Sequence, residues 1–220
     1  MSLALFDLDN TLIAGDSDHA WGEFLVARGL VDAKEYKEAN DRYFAAYQEG
    51  SLDIHKYLSF SLRPLTRYPA SDLHAWRKEF ITDHIAPLIL DKGRKLLAEH
   101  QQKGDQLVII TATNRFITQP IADLLGVKEL IAVEPEFKEG RYTGDIVGTP
   151  SFREGKITCL NEWLNQNQMS LENSHFYSDS HNDLPLLKKV DHPVAVDPDQ
   201  ELKNYAEQHG WPVISLRENA

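Results

Sequence analysis

Leu3-Ala4-Leu5-Phe6-Asp7-Leu8-Asp9-Asn10-Thr11-Leu12 is the stretch on which the reading of this chain turns. Four apolar residues run without polar alternation into two carboxylates spaced two apart, and a hydroxyl follows at Thr11. Such a run reads as a strand buried on both faces, as in a parallel sheet flanked by helices. Ligands of these sheets bind beyond the carboxyl ends of the strands, where Asp7 and Asp9 fall. A carboxylate pair there suits Mg²⁺ and phosphoryl chemistry: one oxygen of Asp7 on the metal, the other free to attack phosphorus, and Asp9 as acid and base. Taken alone, the pair could equally solvate a strand end.

A chain of 220 residues fits one large domain or one domain with a sizeable insertion. Lys and Arg total 23 against 34 Asp and Glu, a net charge of -11, and no basic run occurs. Nucleic acid is excluded as a partner on that balance, because neutralising phosphates needs a basic face. The one cysteine, Cys159, allows no intrachain disulfide and reads as a small apolar residue on a helix in a reducing compartment. The first apolar stretch ends at Asp7, too soon for a signal peptide, and no run approaches membrane-spanning length. The expectation is a soluble cytoplasmic protein with no membrane partner.

After Thr11 the periodicity becomes helical. Helices are expected over 18–27, 36–47, 54–62 and 71–84, the last with Ser71 as N-cap after Pro69, separated by turn signals at Gly50-Ser51 and Arg63-Pro64. Residues 14–86 thus read as an all-helical unit inserted after the first strand. From Asp91 helix and strand alternate again: a helix to Gln102, a strand over 106–111, a helix from Arg115 stopped by Gly126, a strand over 130–133, and a hairpin across Glu139-Gly140 into 142–147. A helix over 155–165, a strand over 175–179, a helix near Leu184, a strand over 193–196, a further helix and a short strand over 212–216 complete the pattern. The fold expected is α/β: a doubly wound parallel sheet formed by 1–13 and 87–220, carrying a helical cap formed by 14–86.

Three further polar positions follow the opening motif in order, each at an expected strand end or helix start: Thr111, Lys156, and Asp179 with Asn182 and Asp183. Each alone has an ordinary structural reading, as a strand terminus, a solvated helix residue or a helix cap. Together they supply what Mg²⁺-assisted phosphoryl transfer requires: a nucleophile, carboxylates for the metal, a cation and donors for the phosphoryl oxygens. Asp7 and Asp179 would bind the metal, Thr111 and its following backbone N–H would hold phosphoryl oxygens, and Lys156 would neutralise both Asp7 and phosphate. No dinucleotide or P-loop glycine pattern is present, and the nine histidines lack the spacing of a zinc helix.

Phe6-Asp7-Leu8-Asp9-Asn10-Thr11-Leu12, Thr111, Lys156 and Ser178-Asp179-Ser180-His181-Asn182-Asp183 together resemble the four motifs of the haloacid dehalogenase superfamily. The helical insertion and the segment Gly140-Arg141-Tyr142-Thr143-Gly144-Asp145 resemble its phosphoserine phosphatase-like branch. The resemblance implies Asp7 as nucleophile through an aspartyl-phosphate, and Asp9 as the group that protonates the leaving oxygen and then activates water. It implies Mg²⁺ on Asp7, the Asp9 carbonyl and Asp179, with Asp183 in support, and Asn182 near the phosphoryl group. The substrate is expected to be a small phosphorylated metabolite.

Two departures bear on which one. Ala112 and Thr113 stand where the phosphoserine enzymes place two glycines after the motif-two hydroxyl, so a tighter phosphate loop is expected around Thr111 and Ala112. Counted from the motifs, Asp16 falls at the acidic position that holds the substrate amine, but Ser61 falls where an arginine holds its carboxylate, with Arg63 offset. An amine-bearing, carboxylate-free ester such as histidinol phosphate fits better, with Asp16 or Asp18 on the amine and Trp21, Phe44 or Tyr47 facing the imidazole. Phosphoserine hydrolysis, transfer of phosphate to an alcohol, and a silent binding module on the same fold are the alternatives.

Overall fold

A computed structural model describes residues 2–217. Met1 and 218–220, the outer ends of the expected core segments, lie outside the described residues. Strands β1 (Leu3–Phe6), β2 (Gln106–Asn114), β3 (Glu129–Lys138), β4 (Arg141–Val147), β5 (His175–Ser178), β6 (His192–Val196) and β7 (Val213–Ile214) form one sheet in the order β4-β3-β2-β1-β5-β6-β7. Every neighbouring pair is parallel except the β3–β4 hairpin at the edge. The four residues of β1 are wholly buried, and their side chains alternate between two apolar layers. Ala4 and Phe6 join Ile109 and Tyr177 on one face, while Leu3 and Leu5 join Val108, Ile110 and Phe176 on the other. Because β2 leaves on one side of β1 and β5 arrives on the other, a crevice opens at the carboxyl end of β1, just where Asp7 follows.

Four helices occupy the connection from β1: α1 (Ser17–Ala27), α2 (Ala33–Gln48), α3 (Ile54–Ser61) and α4 (Ala70–Phe80). The first three begin on aspartates, Asp16, Asp32 and Asp53, whose side chains accept backbone N–H groups of the first turn. The start of α4 departs from the expected Ser71 cap. Pro69 occupies that position in an extended conformation, the helix begins at Ala70, and the Ser71 hydroxyl donates to Asp72 instead. The regular helix also stops at Phe80 rather than His84, giving way to a π turn over Ile81–Ile85 and a short 3₁₀ turn over Ala86–Leu88. Pro87, with no N–H to return to residue 83, ends the run.

Helices α5 (Asp91–Gln102), α6 (Arg115–Leu125), α7 (Glu154–Asn167), α8 (Leu184–Leu187) and α9 (Gln200–His209) accompany the sheet. One apolar cluster runs from the sheet into the inserted helices. Trp21 and Phe24 of α1 and Phe80 of α4 are buried in it, and Trp21 meets Phe116 of α6 with ring centroids 5.7 Å apart. Strand β2 runs past Thr111 to Asn114, and its pairing with β3 slips between Ile110 and Asn114. Thr111, Ala112 and Thr113, within the slip, have no register partner in β3 and border the crevice. Among the described residues, no helix is long and apolar enough to cross a membrane.

Candidate active site

Asp7 follows β1 directly and its backbone N–H still bonds the Tyr177 carbonyl of β5, so its position is set by the sheet itself. The Lys156 ammonium lies 2.8 Å from Asp7 Oδ1 and 2.8 Å from both oxygens of Asp183. Ser178 donates to Asp183 Oδ2 at 2.7 Å. Lys156 reaches this place because α7 starts tightly: a Cβ on Gly155 would stand 2.0 Å from the Pro150 carbonyl oxygen, so only glycine fits. Burial alone would push Lys156 down, but Asp183 and Asp7 together outweigh it and hold the ammonium above its ordinary value.

Thr11 joins the remaining carboxylates. Its hydroxyl lies 3.5 Å from Asp7 Oδ2 and 3.1 Å from Asp179 Oδ1, and accepts the Asp179 N–H. A hydroxyl has one proton to give, so two buried carboxylates share it. Burial raises Asp7 to about 7 despite Lys156, with Asp183 and Asp9 adding to the rise. Burial, then Asp7 and Asp183, raise Asp179 well above the ordinary carboxylate value.

Asp9 is held from two sides. Its Oδ1 accepts the Ser17 N–H, at the start of α1, at 2.7 Å, and its Oδ2 accepts the Thr113 hydroxyl at 2.9 Å. Burial, then Asp16, raise it to about 6 against these bonds. The Thr111 hydroxyl accepts the Thr113 N–H at 3.1 Å, which leaves its own proton for a ligand. Asn114 caps α6 and donates to Asp18 at 3.4 Å.

A cleft of about 540 Å³, part of it open to solvent, lies above these groups. Asp7, Asp9, Asp16 and Asp18 face it, with Thr111, Ala112 and Thr113 at its floor and His19, Asn40, Tyr43, Phe44, Tyr47 and Tyr57 from the inserted helices. None of the described residues lining it is a lysine or arginine. Asp16 spends one oxygen capping α1, while Asp18 is buried, accepts the Tyr57 hydroxyl at 2.7 Å and is raised by burial to about 7. The sequence places Phe44 and Tyr47 correctly beside the cleft. Trp21 is elsewhere, packed in the apolar cluster, because its helix turns that face inward. Arg63 lies outside against Glu35 and the Phe60 ring, and Ser61 is buried with its hydroxyl unpartnered. Tyr57 and Asn114 carry no signal in the sequence, and the departure from glycine at Thr113 signals a tighter loop but not its bond to Asp9.

Asn182, expected near the phosphoryl group, is buried beside the end of α2. Its amide donates to the Tyr47 carbonyl at 2.9 Å and its oxygen accepts from Arg153 at 2.9 Å, while Arg153 also donates to the Gly50 carbonyl. The loops that carry Lys156 and Asp179 therefore grip the end of α2. Arg153 does so from a backbone with φ of 50° and ψ of -120°, a strained region for a residue with a side chain. Gly50 lies at φ +69°, and a Cβ there would sit 2.7 Å from His181 Nε2. The Tyr47 phenol is raised well above its ordinary value by burial and then by Asp7, Asp179 and Asp183, so it stands over the carboxylate cluster.

The donors fit a hard divalent cation. Asp7, Asp179 and Asp183 bring three negative charges against the single ammonium of Lys156, and all the unsatisfied donors are oxygens. Among the described residues, no three His, Cys, Asp or Glu side chains converge into a ready-made cage. Mg²⁺ commonly binds through one or two carboxylates and keeps its waters or takes substrate phosphate oxygens. Asp183, expected in support of the metal, has its oxygens engaged by Lys156 and Ser178, so it orients the cationic side chain.

The family model for haloacid dehalogenase-like hydrolases matches residues 4–188, and the chain belongs to that family. Within it, the chain is a phosphatase-type enzyme with the phosphoserine phosphatase-like fold. A histidinol-phosphatase of Neisseria meningitidis serogroup C is 47% identical over 220 residues, covering 98% of this chain and 99% of that one. A crystal structure of a protein of unknown function from Bordetella pertussis Tohama I has a TM-score of 0.92 at 43% identity, covering 98% and 99% of the two chains. A substrate-bound phosphoserine phosphatase has a TM-score of 0.72 at 19% identity, covering 99% and 94%, a likeness of fold.

Proposed function

We propose that the chain is a Mg²⁺-dependent phosphomonoester hydrolase that works through an aspartyl-phosphate on Asp7, with histidinol phosphate as substrate and 14–86 acting as the cap over it. The observation that carries this reading is the cleft, with four carboxylates, an aromatic wall and no arginine or lysine among the residues that line it. A substrate carboxylate would enter such a site unpaired among like charges, whereas an amine and an imidazole N–H meet acceptors. Asp16, with an oxygen left over from capping, and Asp18, oriented by Tyr57 and Asn114, are the acceptors. The relative from Neisseria meningitidis carries the matching name. The single half-buried cysteine and a metabolite substrate support a cytoplasmic setting.

An oxygen of Asp7, its carboxylate fixed by Lys156, bonds to phosphorus as the ester P–O bond breaks, and Asp9 gives its proton to the departing alkoxide. Water then attacks the acyl phosphate, its proton passing to Asp9, and phosphate leaves Asp7 free. Thr111 and the following backbone N–H hold the phosphoryl oxygens. Mg²⁺, on Asp7, Asp179 and the Asp9 carbonyl, would neutralise phosphoryl charge.

Phosphate release from histidinol phosphate, phosphoserine, sugar phosphates and nucleotides, with EDTA and Asp7→Asn as controls, tests the reading. Preference for histidinol phosphate, abolished by either control, is expected. A preference for phosphoserine would refute the carboxylate argument, and full activity of Asp7→Asn would refute the nucleophile.

A further inference from the structure

We propose that Thr113 is a positioning residue for the reaction: its hydroxyl fixes the carboxylate of Asp9 in the plane from which that carboxylate hands its proton to the leaving oxygen. The inference rests on the acid–base role of Asp9 proposed above.

An aspartate carboxylate turns easily about its last torsion, whose energy wells are broad. Asp9 gains a fixed plane only because each of its oxygens has a donor of its own. Ser17 N–H supplies one at 2.7 Å from the start of α1, and the Thr113 hydroxyl supplies the other at 2.9 Å from the end of β2. The two donors belong to different elements, one in the inserted helices and one in the sheet. Without Thr113, the carboxylate would be held by Ser17 alone, from the α1 side.

Thr113 is itself tightly set. It is buried, its N–H is anchored on the Thr111 hydroxyl at 3.1 Å, and its own hydroxyl has Asp9 as its acceptor among the described residues. One residue therefore links the hydroxyl that faces phosphate to the carboxylate that handles protons. Glycine at this position would keep the backbone bond and lose the grip on Asp9. Thr113 lies in the stretch between Ile110 and Asn114 where the pairing of β2 with β3 slips.

A role in positioning the acid has a signature that a role in the loop's shape lacks. An alkyl phosphate needs a proton on its departing oxygen, whereas 4-nitrophenyl phosphate releases a stable anion without one. Single-turnover cleavage, with enzyme in excess, reads the first chemical step alone. Thr113→Val, which keeps the shape and removes the hydroxyl, should slow cleavage of the best alkyl ester of the panel about tenfold or more, the scale on which small misplacements act. It should leave 4-nitrophenyl phosphate within about twofold of wild type, and Thr113→Ser should restore the alkyl rate. Equal slowing of both esters by Thr113→Val, or slowing of neither, would overturn the proposal. Asp9→Asn separates the two levels: a wild-type alkyl rate in that variant overturns the acid role of Asp9 itself, whatever Thr113→Val does.

Discussion

Lys156 balances Asp7 and Asp183, and removing it leaves two buried carboxylates facing each other. Lys156→Met should abolish turnover and cost about 3–5 kcal/mol in urea unfolding at neutral pH, the usual penalty for breaking a buried pair. The penalty should shrink toward pH 5 as Asp7, raised to about 7 by burial, takes up a proton. Wild-type stability carries a related sign. Burial raises Asp7 and Asp18 to about 7 and Asp9 and Asp16 to about 6, above the 3.8 of an unfolded aspartate. Between those values the cation-free folded state binds more protons than the unfolded chain, so stability falls as pH rises from about 4 to about 7. Thermal unfolding with EDTA should show that fall, and added Mg²⁺ should raise Tm more at pH 8 than at pH 5; a larger gain at pH 5 would contradict it. Asp7, Asp9, Thr111, Lys156 and Asp179 were legible because polar residues at strand ends and helix starts announce themselves in order. The roles of Thr113 and Tyr57 were not, because neither stands in such a motif and only the folded packing brings them to Asp9 and Asp18.

Among the elements, the end of α2 is tied to the loops of the site through Asn182 on the Tyr47 carbonyl and Arg153 on the Gly50 carbonyl. Arg153→Ala should raise KM and speed amide exchange across residues 47–51, with α5 unchanged as an internal reference. Unaltered exchange in that segment would show that the grip contributes nothing to holding α2. The aspartate caps of α1, α2 and α3 emerge only in the structure, while apolar spacing made the helices of 14–86 readable. The π turn after α4 and the extension of β2 beyond Thr111 were not, since one depends on a proline several residues on and the other on a slip against β3. The loop expected merely to tighten around phosphate also reaches Asp9 and Asp18, through Thr113 and Asn114.

At the scale of the molecule, the shared apolar cluster predicts cooperative loss of structure. Trp21, Phe24 and Phe80 pack into the layer that covers Phe6 and Ile109, so helix loss and tertiary loss should coincide in a single denaturant transition. Two transitions, with the helices of 14–86 melting apart from the sheet, would contradict it. The strand that leads into Asp7 also has an unusual history within the chain. It occupies the middle of the sheet, yet its hydrogen-bonding neighbours are residues 106–109 on one flank and 175–177 on the other. During synthesis β1 leaves the ribosome before either neighbour and cannot pair on its second flank until β5 follows, a span of roughly ten seconds or more at ordinary elongation rates. For that interval its apolar edge stands open, and the enzyme's earliest hazard is a nascent chain that meets the wrong strand before its own arrives.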